Sequence, residues 1–126
     1  MPDLELCGAS FFVFAHGLVH LLWLAAYWPL TTIDGLPYKT TLFGGRWNAG
    51  DRGMRAYSAA WIIPTVGFVT GAIALVADLR WAEPYVVVVA LVAILISLPD
   101  VWRAKWGALI DAAIIAVMMF GPDLSA

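Results

Sequence analysis

Two histidines and one aspartate are the residues of this chain whose types and spacing could do chemistry. His16 and His20 are its only histidines, and both lie in an apolar stretch, residues 10–30, without any charged residue. Four residues apart on a helix, they lie on one face, one turn from each other. Asp111 lies in a different apolar stretch. Ionisable groups at such positions are costly and usually mark a site or a relay.

The histidine pair is suited to binding a metal. Two imidazoles at this spacing can bind one ion from the same side. Because there is no third histidine, a complete zinc or copper site needs carboxylates or Cys7 as further ligands. One helix cannot supply both axial ligands of a haem, so a haem needs a second subunit or a five-coordinate site, while a single histidine also suits a chlorophyll-type magnesium. The alternative is that both rings are neutral and hydrogen-bonded to helix neighbours.

The histidines belong to one face of the first helix that gathers polar and aromatic side chains. At helical spacing this face contains Ala9, Val13, His16, His20, Trp23 and Tyr27. We therefore predict that the cofactor-binding residues are His16, His20, Trp23, Tyr27 and Asp111, with His16 and His20 as metal ligands. No nucleophile–base set and no nucleotide-binding loop occurs, so no catalytic residue is predicted and a non-enzymatic function is preferred.

His20 and Asp111 are predicted to form a hydrogen bond. Each lies roughly 10 Å from the same end of its helix, so the two side chains have similar depth. Such a pair could fix the histidine tautomer for a ligand on its other nitrogen, or it could shuttle protons. The structural alternative is that the pair only ties the first helix to the last.

The composition indicates a membrane protein. Of 126 residues, 63% are hydrophobic and 13% are charged, about half the usual charged share of a soluble domain. The net charge of −2 gives no basic patch, so nucleic acid is not expected as a partner. A single cysteine excludes an intramolecular disulfide and a CxxC pair. The N-terminus has no positive region or small-residue cleavage site, so we expect the first span to be a permanent helix.

Four apolar spans follow from the hydropathy: residues 7–30, 56–77, 81–98 and 104–120. The predicted fold is an all-α integral membrane four-helix antiparallel bundle, in one domain over residues 1–126. Backbone groups in hydrocarbon must be satisfied internally, which favours helices even for the valine-rich run in the third span. Pro29, Pro99 and Pro122 stand where the first, third and fourth spans are expected to end.

The second span contains a GxxxG motif, formed by Gly67 and Gly71. Small residues at this spacing allow two helices to approach closely. Packing within the chain is preferred here to dimerisation.

The basic residues predict the orientation. Six of the seven lie in the first and third loops, namely Lys39, Arg46, Arg52, Arg55, Arg103 and Lys105. Only Arg80 lies on the other side, so loops one and three should be cytoplasmic and both termini non-cytoplasmic, in a cell (inner) membrane. The long glycine-rich loop 31–55 either lies on lipid headgroups or docks a partner. Trp28, Trp47, Trp102 and Trp106 at one boundary, and Trp81 and Tyr85 at the other, are expected to be interfacial anchors.

The first helix carries an HGxxHLL arrangement, formed by His16, Gly17, His20, Leu21 and Leu22. With three further short spans it resembles a group of small bacterial four-span membrane proteins, a resemblance that implies the architecture and no activity. The preferred function is an accessory or assembly subunit of a larger membrane complex, or a homo-oligomer. It would bind a metal-centred lipophilic cofactor (haem or chlorophyll type) or a metal ion. The alternatives are a proton-coupled carrier with a His20–Asp111 relay and a purely structural bundle.

Overall fold

The computed structural model describes residues 4–28, 30–33 and 36–124, and they form an all-α structure. The helices are α1 (Leu4–Val19), α2 (Leu21–Tyr27), α3 (Gly50–Ala60), α4 (Ile62–Val76), α5 (Ala82–Ser97) and α6 (Val101–Leu124). A 3-10 turn, Leu98–Asp100, joins α5 to α6. The only pairing of strands in the described residues is a short antiparallel hairpin of β1 (Thr41–Leu42) and β2 (Trp47–Asn48). Pro29, predicted to end the first span, lies outside these residues.

Three helical stretches in the described residues are long and apolar enough to cross a membrane. They are Cys7–Tyr27, Gly50–Val76 and Ala82–Phe120. This confirms the prediction that the chain contains helices long and apolar enough to cross a membrane. The predicted third and fourth spans lie in a single helical stretch of 39 residues, about twice the roughly 20 residues that one span requires.

Two helix boundaries differ most from the prediction. The second stretch begins at Gly50 and not at residue 56. Its first turns are polar, but they are stabilised as a helix because Asp51 in the first turn interacts favourably with the helix dipole. Met54, one turn further on, is buried. Helix α6 continues to Leu124 and does not stop at residue 120. A proline removes its own backbone donor and its ring crowds the carbonyl one turn back, which bends a helix but need not end it.

The first and second stretches are each interrupted at one residue, His20 and Trp61 respectively. The His20 ring Nδ1 bonds the His16 carbonyl at 2.7 Å, while the His20 backbone N–H turns to the Gly17 carbonyl at 3.2 Å. The side chain thus takes the acceptor that the backbone would use in an α-helix. In the second stretch, Pro64 has no N–H to donate one turn back, which accounts for the break at Trp61.

The helices pack in the order α1, α4, α5, α6, with the most extensive pairings between successive members of this row. A Cβ on Gly67 would lie 2.8 Å from Val89 Cγ1, and one on Gly71 would lie 2.7 Å from Val86 Cγ2. The GxxxG glycines therefore bring α4 against α5 of the same chain. The main core lies along this row and consists of Val13, Phe68, Ala72, Ala74, Leu75, Ala82, Val86, Val89, Ala90, Ala93 and Ile114.

The first loop is folded onto one end of the helices. The Phe43 backbone N–H donates to the Pro99 carbonyl at 2.7 Å, which ties the hairpin to the 3-10 turn. A second core cluster anchors the loop and consists of Ala26, Tyr27, Leu36, Leu42 and Met54. The loop therefore has its own packed interior, and it positions Lys39 next to the end of α5.

Candidate functional site

His16 of α1 and Asp111 of α6 meet in the interior, so the first and last helices of the row also come together. His16 Nε2 and Asp111 Oδ1 lie 2.6 Å apart. Asp111 is 0% exposed and His16 is 6% exposed. The second carboxylate oxygen, Asp111 Oδ2, is buried and has no hydrogen-bond partner in the part of the chain that the structure describes. A buried oxygen with free lone pairs is costly, and it offers a position for a cation.

His20 does not pair with Asp111, so the predicted partner is wrong by one helical turn. Its ring Nδ1 bonds the His16 carbonyl. Because a carbonyl only accepts, Nδ1 must carry the proton, and Nε2 of the neutral ring keeps its lone pair. This is the usual arrangement of a metal-binding histidine, in which a backbone carbonyl orients the ring through one nitrogen and the other nitrogen is free to coordinate.

One potential ligand atom from each of His16, His20 and Asp111 lies within 4.8 Å of the others, and all three residues are buried. Bound to one tetrahedral ion at about 2.1 Å, such atoms would be roughly 3.4 Å apart, so small side-chain rotations bring them into range. Cys7, the other ligand considered from the sequence, is exposed and is not part of this cluster.

Aromatic rings enclose the two histidines. The Phe68 ring centroid lies 5.2 Å from that of His16 and 5.5 Å from that of His20, and Trp61 lies 5.5 Å from His20. Gly17 allows this closeness: a Cβ there would lie 2.8 Å from Phe68 Cβ. The site therefore has low polarity and close packing, which suits an ion better than a macrocycle.

Trp23 and Tyr27, predicted to bind the cofactor, belong to a second polar cluster. Both donate to the buried Asp100 carboxylate, Trp23 Nε1 at 3.2 Å and Tyr27 through its hydroxyl. Lys39 from the first loop forms an ion pair with the same carboxylate. Arg103 donates to the Tyr27 hydroxyl at 3.2 Å and to the Pro37 carbonyl at 2.7 Å.

Sequence reasoning missed this Asp100 cluster, whose members are Trp23, Tyr27, Lys39, Asp100 and Arg103. In the sequence, Asp100 stands out only as the residue after Pro99, at the expected end of the third span. Lys39 and Arg103 were interpreted as markers of the cytoplasmic side. The sequence does contain one indication of this cluster. Asp100 directly follows an apolar span, and a carboxylate that becomes buried there needs a cationic or hydrogen-bonding partner.

The Tyr38 hydroxyl in the first loop donates to Asp51. This hydrogen bond, with a smaller contribution from desolvation, raises the pKa of Tyr38 above its usual value.

Comparison of the chain with protein-family models, with curated proteins and with solved structures finds no match. The resemblance in the first helix therefore depends on its HGxxHLL motif alone, and the function has to be argued from the site.

Proposed function

We propose that this chain is a four-span membrane protein that holds a metal ion between His16, His20 and Asp111. The observation that carries this proposal is the fully buried Asp111 Oδ2, which lies beside two imidazoles and has no hydrogen-bond partner among the described residues. A cation there would neutralise the carboxylate and use its free lone pairs, together with the lone pair of His20 Nε2.

The membrane arrangement is part of the proposal. Helices α5 and α6 pack along each other, so the 39-residue stretch folds back at the 3-10 turn and supplies two crossings. Together with the first two stretches this makes four, with loops one and three cytoplasmic and both termini outside. Large apolar side chains that point away from the core, such as Phe11, Ile63 and Leu95, are at least 59% exposed and would face lipid.

The donor set favours a particular class of ion. Two imidazoles and one carboxylate suit zinc, iron(II) or a similar first-row divalent ion and leave a coordination position open. A haem or chlorophyll-type macrocycle fits less well, because Phe68 and Trp61 pack closely around the imidazoles, with ring centroids 5.2 Å from His16 and 5.5 Å from His20 respectively. The open position would be filled by a small ligand, or by a residue from another membrane subunit or a second copy, which agrees with an accessory role.

The test is metal analysis of protein purified from its native membrane, followed by reloading with zinc or iron(II) in lipid nanodiscs. We expect about one ion per chain, and at least a tenfold weaker affinity in Asp111→Asn and His20→Gln, since loss of a ligand removes more than the tenfold that an outer-shell change costs. Asp78→Asn is the matched control, because Asp78 is an exposed carboxylate far along the chain from the cluster. Wild-type protein that holds neither ion, natively or after loading, refutes the proposal.

A second candidate function is a proton-coupled carrier. The specific observation in its favour is the 2.6 Å contact between His16 and Asp111, a buried acid–base pair suited to passing a proton. The relay would then use His16 in place of His20. In proteoliposomes, a pH gradient should drive flux that Asp111→Asn abolishes, and flux that survives this substitution removes Asp111 from the mechanism.

A further inference from the structure

A cavity of about 300 Å³ lies next to the two histidines. Its wall is formed on one side by Trp23 and Trp61, and on the other by Arg103, Trp106 and Gly107 of α6. This volume is at the lower end of the range for small-molecule sites, roughly 300 to 1,000 Å³. The cavity is thus large enough for a ring-sized molecule.

Besides His16, His20 and Ser97, the wall of this cavity contains two side chains whose hydrogen-bond donors are not all used, Trp61 and Arg103. Trp61 Nε1 is buried and has no partner in the described part of the chain. The Arg103 guanidinium uses only Nη1 for its two described bonds, and it has further N–H groups. A molecule that satisfies these donors must carry hydrogen-bond acceptors, which carbonyl oxygens supply.

The remaining wall is aromatic and apolar. Trp23 and Trp61 are stacked with ring centroids 4.8 Å apart, and His20 lies 5.5 Å from Trp61. Flat faces of this kind favour a flat ring. The wall also includes Leu22 and Ile110, which are both exposed on the outer surface, so the cavity borders the surface that would face lipid.

We propose that this cavity binds the head ring of a lipophilic quinone. After a rotation of the Trp61 indole that turns its buried Nε1 toward the cavity, one ring carbonyl would accept from this nitrogen. The guanidinium of Arg103 would stand near the other carbonyl, and an apolar tail would leave between α2 and α6 into the bilayer. The proposal concerns binding only. It shares His16 and His20 with the proposed metal site, since both line the cavity, but its hydrogen bonds come from Trp61 and Arg103, so it does not require a bound ion.

The test uses decylubiquinone, a short-chain benzoquinone, titrated calorimetrically against the full chain in lipid nanodiscs, with empty nanodiscs subtracted. The decisive pair of variants is Gly107→Leu and Gly8→Leu. Both glycines are helical and a Cβ on either meets nothing within 4 Å, so both should accept leucine, yet only Gly107 lines the cavity. We expect saturable binding that Gly107→Leu weakens at least about tenfold and Gly8→Leu leaves unchanged, since only the former fills the ring's space.

A second pair tests the hydrogen bond. Trp61→Phe keeps a ring but removes the donor, and should weaken binding by about two- to tenfold. Trp102→Phe changes an indole that is 75% exposed and should have no effect. Absence of saturable binding to the wild-type protein, or equal affinity in the two glycine variants, overturns the proposal. The Gly107→Leu variant should lose quinone binding and keep its metal content. This result would show that the quinone site and the metal site can be tested independently.

Discussion

The Asp100 cluster gives the sharpest prediction about stability. Asp100 is only 3% exposed, and it accepts from Tyr27, Trp23 and Lys39, which come from the first helical stretch and the first loop. Asp100→Asn keeps the shape but removes the negative charge and places an amide where a donor already points. Lys39 is then left beside a neutral group.

The magnitude follows from burial. Removing one partner of a buried ion pair costs about 3–5 kcal/mol, and the lower end applies because the Lys39 side chain is 24% exposed. We therefore expect Asp100→Asn to lower the free energy of unfolding by about 3 kcal/mol. Lys39→Met should cost about 2 kcal/mol, since it removes one hydrogen bond to a charged group while the other two donors remain.

The assay is a double-mutant cycle measured by reversible unfolding in bicelles with increasing dodecyl sulfate. The double variant should be less destabilised than the sum of the two single variants, with a coupling of about 1–3 kcal/mol. Asp78→Asn is again the control and should change stability by no more than about 0.5 kcal/mol, as surface substitutions do. Additive effects, or a cost below about 1 kcal/mol for Asp100→Asn, would refute the reasoning, because the carboxylate would then not hold the loop to the helices.

Two further predictions concern packing and titration. Gly67→Ala should destabilise the protein by about 1–3 kcal/mol, because the new methyl group would overlap Val89. Gly107→Ala should raise the free energy of unfolding by up to about 1 kcal/mol, because its methyl group meets nothing and alanine favours a helix. The same unfolding assay compares the two variants, and equal effects would contradict the packing of α4 on α5. Tyr38 should ionise above the pH at which an ordinary tyrosine does, because its hydroxyl donates to Asp51. Its bond is thus present below about pH 10 and lost as the pH rises through the raised pKa, which the difference in phenolate absorbance between wild type and Tyr38→Phe measures.

The sequence was informative about spans and faces because hydropathy and helical period are local properties. His16 and His20 were placed on one face, and both are buried. The choice between them as the partner of Asp111 was wrong because depth along a helix does not fix rotation or the break at residue 20. That break depends on the His20 ring taking the His16 carbonyl, which the residue pattern does not show.

The Asp100 cluster could not be found in this way. Lys39 and Asp100 are 61 positions apart, and nothing local indicates that a glycine-rich loop folds back onto the end of α5. The start of α3 was also missed, because its first turns are polar and hydropathy alone marks only the membrane part of a helix. Both failures concern tertiary contacts that override local preference.

The separation of His16 and Asp111 by 95 positions has a consequence for biosynthesis. If the helices insert into a membrane as proposed, α1 leaves the ribosome long before α6, so His16 and His20 enter the bilayer before Asp111 is synthesised. During that interval α1 can already pack on α4 through Gly17 and Phe68, but the carboxylate is missing. The contact between His16 and Asp111 can therefore form only after α6 has been inserted. A nascent chain arrested before α6 should remain accessible to membrane quality-control proteases.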